Sequence, residues 1–222
     1  MSIGTIYEKA YKGDFNQVKV KIESDKPLII APDTNNRLLV HWAALGGNEN
    51  LVDFLIDKGS PIDPIDDTSC TPLLLASSAG RLEVVRLLIG KGANVSKKNN
   101  RGQTSLHYAC SKGHKEITKL LLDSDANPSD VDTLGASPLH RAASQGRADI
   151  VEILLKSSSI KLDLCDATGC TALHLSCEED REPVACMLVK AGASVSIKNK
   201  EGKTPIDLCS TKLRNILINL LN

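Results

Sequence analysis

Aromatic side chains are scarce: Tyr7, Tyr11, Phe15, Trp42, Phe54 and Tyr108 are the only six in 222 residues. A core built around large rings is therefore excluded, and the interior falls to Leu, Ile, Val and Ala in thin helical layers. An excess of positive charge is also missing, since 27 Lys and Arg balance 27 Asp and Glu. That balance argues against nucleic acid as a partner, because phosphate-backbone binding rests on a basic surplus or stripe. No apolar run approaches the roughly 20 residues that span a bilayer, so no membrane partner is expected. The first ten residues lack the charged region, apolar stretch and cleavage site of a signal peptide. Seven cysteines, an odd number with no C-x-x-C, read as free thiols in a reducing compartment. The expected setting is cytoplasmic and nuclear. At 41% hydrophobic and 24% charged residues, the chain has the makings of a core and is not disordered throughout.

What the sequence does have is a period. Asp33, Asp66, Asn99, Asp132, Asp166 and Asn199 recur at intervals of 33, 33, 33, 34 and 33 residues. Each opens a similar phrase, among them D-D-T-S-C-T-P-L-L, N-N-R-G-Q-T-S-L-H, D-T-L-G-A-S-P-L-H and D-A-T-G-C-T-A-L-H. The T-P-L-H phrase and the 33-residue period resemble the ankyrin repeat. The resemblance implies an all-α fold, an ankyrin-repeat solenoid of seven stacked helix-turn-helix repeats with turn or hairpin tips. A single domain over 1–222 divides into repeats 1–32, 33–65, 66–98, 99–131, 132–165, 166–198 and 199–222.

Local chemistry explains the phrase. Thr71, Ser137 and Thr204 stand where a helix N-cap is wanted, each followed by a proline that fits the first helical position. Gly102, Gly135, Gly169 and Gly202 lie just upstream, in a turn that favours positive φ. A second helix follows with apolar residues at i, i+3 and i+4: Leu51, Phe54, Leu55; Val84, Leu87, Leu88; Ile117, Leu120, Leu121; Ile150, Ile153, Leu154; Val184, Met187, Leu188. Gly59, Gly92 and Gly192 end it. Ordering about 33 residues at roughly 1.5 kcal/mol each needs some 2,000 Å² of apolar burial at about 25 cal/mol per Å². Two short helices cannot supply that alone, so each stripe must be buried by neighbouring repeats. Ile3, Ile6, Tyr7 and Ala10 at one end, and Leu213, Ile216, Leu217, Leu220 and Leu221 at the other, are expected to form capping faces. Lys212, Arg214, Asn215, Asn219 and Asn222 surround the second, and with both caps the array is expected to be complete and monomeric. Two irregularities stand out. Leu74 occupies a histidine position, and one extra residue near Ser157–Lys161 predicts a longer surface loop.

Conventional catalytic patterns are missing. His41, His107, His140 and His174 share one register, so they stack roughly 10 Å apart, whereas zinc ligands must converge within about 2 Å of one ion. They are expected to tie helix starts to neighbouring turns. Cys110 and Cys177 read as small buried hydrophobes, while Cys165 and Cys170 flank one turn as free thiols or, less in keeping with the compartment, a disulfide. No phosphate loop, G-x-S-x-G or H-E-x-x-H occurs. Neither enzyme activity nor a cofactor or metal is expected. Leu175, Cys177 and Glu179 spell L-x-C-x-E, the pattern read by retinoblastoma-like pocket proteins. A helix at this place would turn Cys177 about 200° away from Leu175, so only a locally unfolded segment could show all three.

Function therefore rests on a binding surface. In phase on the first helices stand Trp42, Leu75, Tyr108, Arg141, Leu175 and Leu208, and Trp, Tyr and Arg are the residues that anchor interfaces. Trp42 and Tyr108 either meet a partner or pack on adjacent repeats. Around them the expected partner-binding set adds Asn35, Arg37, Asp66, Asp67, Arg101, Lys112, Glu178 and Glu179.

The phrases V-H-W-A-A at Val40–Ala44, L-H-Y-A at Leu106–Ala109, L-H-R-A-A at Leu139–Ala143, L-H-L-S-C-E-E at Leu173–Glu179 and N-K-E-G-K-T-P at Asn199–Pro205 resemble the gankyrin family over essentially the entire chain. That resemblance implies an assembly chaperone whose concave face grips the C-terminal domain of a proteasomal regulatory-particle ATPase subunit. Arg37, Lys112 and Asp67 match charged positions of that interface. It also implies a retinoblastoma-like pocket protein, a cyclin-dependent kinase and a p53 ubiquitin ligase as further partners. Cys70 departs from the family pattern at an aromatic position, and Leu74 at a histidine. The alternative built on the same repeats is an inhibitor of a cyclin-dependent kinase or transcription factor.

Overall fold

A computed structural model describes residues 5–221. Ile3 and Asn222, expected in the two caps, lie outside the described residues. Among the described residues every regular element is helical, and the chain divides into two compact units, one ending at Asn100 and the other starting at Arg101.

In the first unit, α1 (Ile6–Lys12), α3 (Leu39–Gly46) and α5 (Pro72–Ser78) pack side by side as an inner layer. Helices α2 (Phe15–Ser24), α4 (Glu49–Asp57) and α6 (Leu82–Gly90) each fold back on the inner helix before them, and α4 packs on α6. The second unit repeats the plan. Its inner layer is α7 (Ser105–Lys112), α9 (Pro138–Ser144), α11 (Ala172–Glu178) and the short α13 (Pro205–Leu208), and its outer layer is α8 (Lys115–Asp123), α10 (Ala148–Leu155), α12 (Glu182–Lys190) and α14 (Thr211–Leu221).

The inner helices begin as their sequences dictate. Thr71, Ser137 and Thr204 are the N-caps, each with proline next, and their hydroxyls accept the backbone N–H of Leu74, His140 and Asp207. Gly102, Gly135, Gly169 and Gly202 all carry positive φ.

The outer helices depart from the i, i+3, i+4 expectation. Fully covered are Leu51, Val52 and Leu55, then Val84, Val85 and Leu88, then Ile117, Thr118 and Leu121, with the same pattern in α10 and α12. Phe54, Leu87, Leu120, Ile153 and Met187 are only half-buried. Helices α4, α6, α8, α10 and α12 each touch their own inner helix and at least one outer neighbour at once. The buried arc therefore takes in the residue after i, about 100° round, at the expense of i+3.

The C-terminal cap is also narrower than expected. Leu213 and Leu217 are buried, whereas Leu220 and Leu221 are exposed. Helix α14 has 11 residues against 9 in α12, the helix it packs on, and its last turn is exposed. The expected loop after α10 is present and pinned. Ser129 Oγ donates to the Ser159 carbonyl at 2.9 Å and accepts the Lys161 N–H at 2.9 Å.

Candidate protein-binding surface

The residue that marks the period organises each tip. Asp66 Oδ1 accepts the backbone N–H of Thr68 and of Cys70, each at 2.9 Å, and the Thr68 hydroxyl at 2.6 Å. Asp33, Asp132, Asp166 and Asn199 fold their own tips in the same way. Successive tips are then laced by backbone bonds. Asp67 and Asn100 donate to the carbonyls of Asn35 and Thr68 in the first unit, and Thr133, Ala167 and Lys200 to those of Arg101, Leu134 and Thr168 in the second.

This architecture corrects one expected contact residue. Asp66 is buried, and its second oxygen accepts the Arg37 Nε–H at 2.9 Å, so the carboxylate is consumed inside the protein. Burial alone would raise its carboxyl, but the donors from Thr68, Cys70 and Arg37 hold it below the usual range. Arg37 is likewise engaged: its guanidinium pairs with Asp66 and lies 5.1 Å from the Trp42 ring centroid. Trp42 is half-buried and donates its indole N–H to Asp33 Oδ2 at 2.9 Å. Arg141, in the same register, pairs with Asp132. Both side chains therefore serve their own tip as well as facing outward. Tyr108 is half-buried, while Asn35, Asp67, Arg101, Lys112, Glu178 and Glu179 are exposed.

The L-x-C-x-E residues are not brought together. Leu175 is half-buried on α11, Cys177 is buried, and Glu179 follows the helix in solvent, 3.6 Å from Arg181. Burial pushes the Cys177 thiol up, and Cys110 up to about 12, as suits packed hydrophobes. Cys165 and Cys170 are both free.

The four histidines form tie bars. Nδ1 of His41, His107, His140 and His174 accepts the backbone N–H of Leu38, Thr104, Ser137 and Thr171 at 3.0–3.1 Å. That leaves Nε2 protonated to donate to the carbonyls of Pro64, Ala136, Cys170 and Lys203 at 3.1–3.2 Å. Each ring thus links a helix start to the next tip. Among the described residues no group of three or more His, Cys, Asp or Glu could hold a metal ion, and no helix is long and apolar enough to cross a membrane.

A second set of ties escaped the sequence reading. Asn48 Nδ2 donates to the carbonyls of Ala10 and Tyr11 at 2.8 Å each, closing the end of α1. Arg81, Arg147 and Arg181 do the same for Leu45, Ser111 and Ser144 through Nε. Arg81 crosses directly over Gly47, where a Cβ would stand 2.8 Å from its Cδ. The signal was available as a polar column in register just before each outer helix.

A groove of about 730 Å³ lies in the first unit, lined by Tyr7, Tyr11, Pro32 and Trp42 with the carboxylates of Glu8 and Asp33. Tyr11 meets Trp42 edge to face with centroids 6.3 Å apart.

These features define an array of tip-linked helix pairs with a protein-facing surface. The family description "Ankyrin repeats" matches in three overlapping copies, at residues 7–99, 89–164 and 124–199, and the chain belongs to that family. Ankyrin repeats are an interaction scaffold. The 26S proteasome non-ATPase regulatory subunit 10 of Mus musculus is 42% identical over 63 residues, 28% of this chain and 27% of that protein, and the Homo sapiens counterpart is 42% identical over 63 residues, 28% of each. The match thus spans about a quarter of the length of these relatives. Among solved structures, the human ASB11 ankyrin repeat domain superposes with a TM-score of 0.87 at 24% identity, covering 97% of both chains. The ankyrin repeat domain of Bcl-3, an IkappaB-family member, gives 0.83 at 22% identity, covering 98% of this chain and 99% of that one. At these identities the likeness concerns the fold.

Proposed function

We propose that this chain is a protein-binding array of the gankyrin type, working in the cytoplasm and nucleus as an assembly chaperone. Its partner is the C-terminal domain of a proteasomal regulatory-particle ATPase subunit. The observation that carries the reading is the 42% identity to a proteasomal regulatory subunit, joined to the gankyrin-like phrases in five of the repeats. Exposed charges of both signs, Asp67 in the first unit and Lys112 in the second, suit a partner with a mixed charge pattern of its own.

Arg37 is a poor residue for the test, because reversing it would strand the buried Asp66. Asp67→Lys combined with Lys112→Glu avoids that difficulty, since both side chains are exposed. In a pull-down with the purified ATPase C-terminal domain, the double variant is expected to bind about tenfold more weakly or worse, with unchanged thermal unfolding. Retention equal to wild type overturns the site. Failure of the wild-type chain to hold the domain overturns the reading.

A further inference from the structure

Half of the aromatic residues in the chain, Tyr7, Tyr11 and Trp42, converge with Pro32 on a single groove in the first unit. In a protein so poor in rings, that concentration asks for a ligand that uses ring faces. Two of the rings are also fixed in advance. Tyr7 donates its hydroxyl to the Ala31 carbonyl at 3.1 Å, and Trp42 is locked to Asp33. Tyr11 remains 43% exposed at the groove wall. A rigid aromatic wall loses little freedom on binding, which favours affinity.

Charge selects the ligand. The ionisable lining groups besides the phenols are Glu8 and Asp33, both carboxylates. Glu8 is paired to Lys12 at 2.7 Å, but both side chains are about half exposed or more, so the pair exchanges at little cost. The Arg37 guanidinium over Trp42 is an example, within this protein, of the contact such rings make with a cation. Asp33 is engaged by Asn35, Arg37 and Trp42, so an acidic segment would meet the Glu8 carboxylate, whereas a basic one meets ring faces and Glu8 as compensating charge.

We infer that this groove receives an extended segment of a partner protein that presents an arginine, held by the tyrosine and tryptophan rings with Glu8 as its counter-charge. The inference rests on reading the chain as a protein-binding array, and it adds the chemistry of what one end of that array binds.

Trp42 is the sole tryptophan, so fluorescence of the full chain reports on the groove directly. The titrant is a short capped peptide with a central arginine between prolines. Matched peptides carry citrulline, which keeps the shape without the charge, or glutamate. A saturable change in Trp42 emission is expected with arginine, at least about tenfold weaker binding with citrulline, and none with glutamate. Tyr11→Ala should weaken the arginine peptide about tenfold, while Tyr11→Phe and Glu8→Asp retain it; circular dichroism checks that each variant is folded. Equal binding of the citrulline peptide, no saturable change, or wild-type affinity in folded Tyr11→Ala overturns the inference. The two readings fail separately. ATPase-domain capture without arginine-peptide binding sinks only the groove, and peptide binding without domain capture sinks only the proposed partner.

Discussion

Single residues in this protein carry two duties, and the histidines make the energetic case. Each ring pairs a backbone N–H and adds a donor to a backbone carbonyl, so His140→Ala leaves the buried Ser137 N–H unpaired beside a new cavity and the Cys170 carbonyl with the Asp166 N–H alone. A loss of about 2–4 kcal/mol in urea unfolding is expected. The same bonds require the neutral ring. Burial lowers the pKa of His41, His107, His140 and His174, that of His107 to about 4. In the unfolded chain these groups titrate near 6.5. Between the two values the unfolded state binds more protons, so stability is complete above about pH 6.5 and falls as pH drops toward 4. For His107 alone the loss is on the order of 3 kcal/mol. Urea midpoints measured from pH 7.5 down to 5 should decline, and the decline should be shallower in His107→Leu. A flat profile over that range would contradict the neutral tie-bar assignment.

At the scale of an element, the helix ends obey one rule with instructive exceptions. Gly59, Gly92 and Gly192 terminate α4, α6 and α12 with φ of 104°, 92° and 91°, whereas Asp125 holds the same place after α8 at φ 64°. An aspartate there suffers twice, from left-handed backbone and from its charge at the negative end of a helix. Asp125→Gly should therefore raise stability by about 0.5–1 kcal/mol even after the added freedom of the unfolded chain is counted. A thermal midpoint equal to or below wild type would show that the strain is relieved in another way. Elements of this kind were legible in the sequence because their causes are local: a Thr-Pro pair caps a helix, and a glycine ends one. The buried arc of the outer helices was misjudged because Val52 and Val85 are covered by neighbouring helices, which no short window contains. Asp66 was misplaced for a related reason. Its acceptors face donors from Thr68 and Cys70 within the tip, but its burial depends on Arg37, 29 residues away. The aromatic groove stayed hidden because Tyr7, Tyr11 and Trp42 meet only once α1 and α3 are side by side.

For the molecule as a whole, the cysteines provide a set of gauges spread along the array. Repeat proteins open locally, each segment held by its nearest neighbours, so protection need not be uniform. Cys165 is exposed, Cys186 half-buried, and Cys70, Cys110, Cys170, Cys177 and Cys209 buried. Pulse alkylation of the native chain followed by peptide mass analysis should label Cys165 first and Cys110 among the last, since Cys110 is fully covered and its thiol is pushed up to about 12. Cys209 should react before Cys110, because it closes a helix of only four residues and is 9% exposed where Cys110 is fully covered. The same experiment decides the fate of the L-x-C-x-E segment. A pocket protein that reads Leu175, Cys177 and Glu179 together needs repeat six unfolded, because Cys177 is packed inside α11. If such binding occurs, the segment pays the free energy of local opening, and the apparent affinity falls by the fraction of chains that are open. Thr171→Ala, which removes the N-cap of α11, should raise the Cys177 alkylation rate and pocket-protein binding by the same factor. Faster alkylation with unchanged binding would mean that the motif is a packing pattern of the sixth repeat and not a recognition signal.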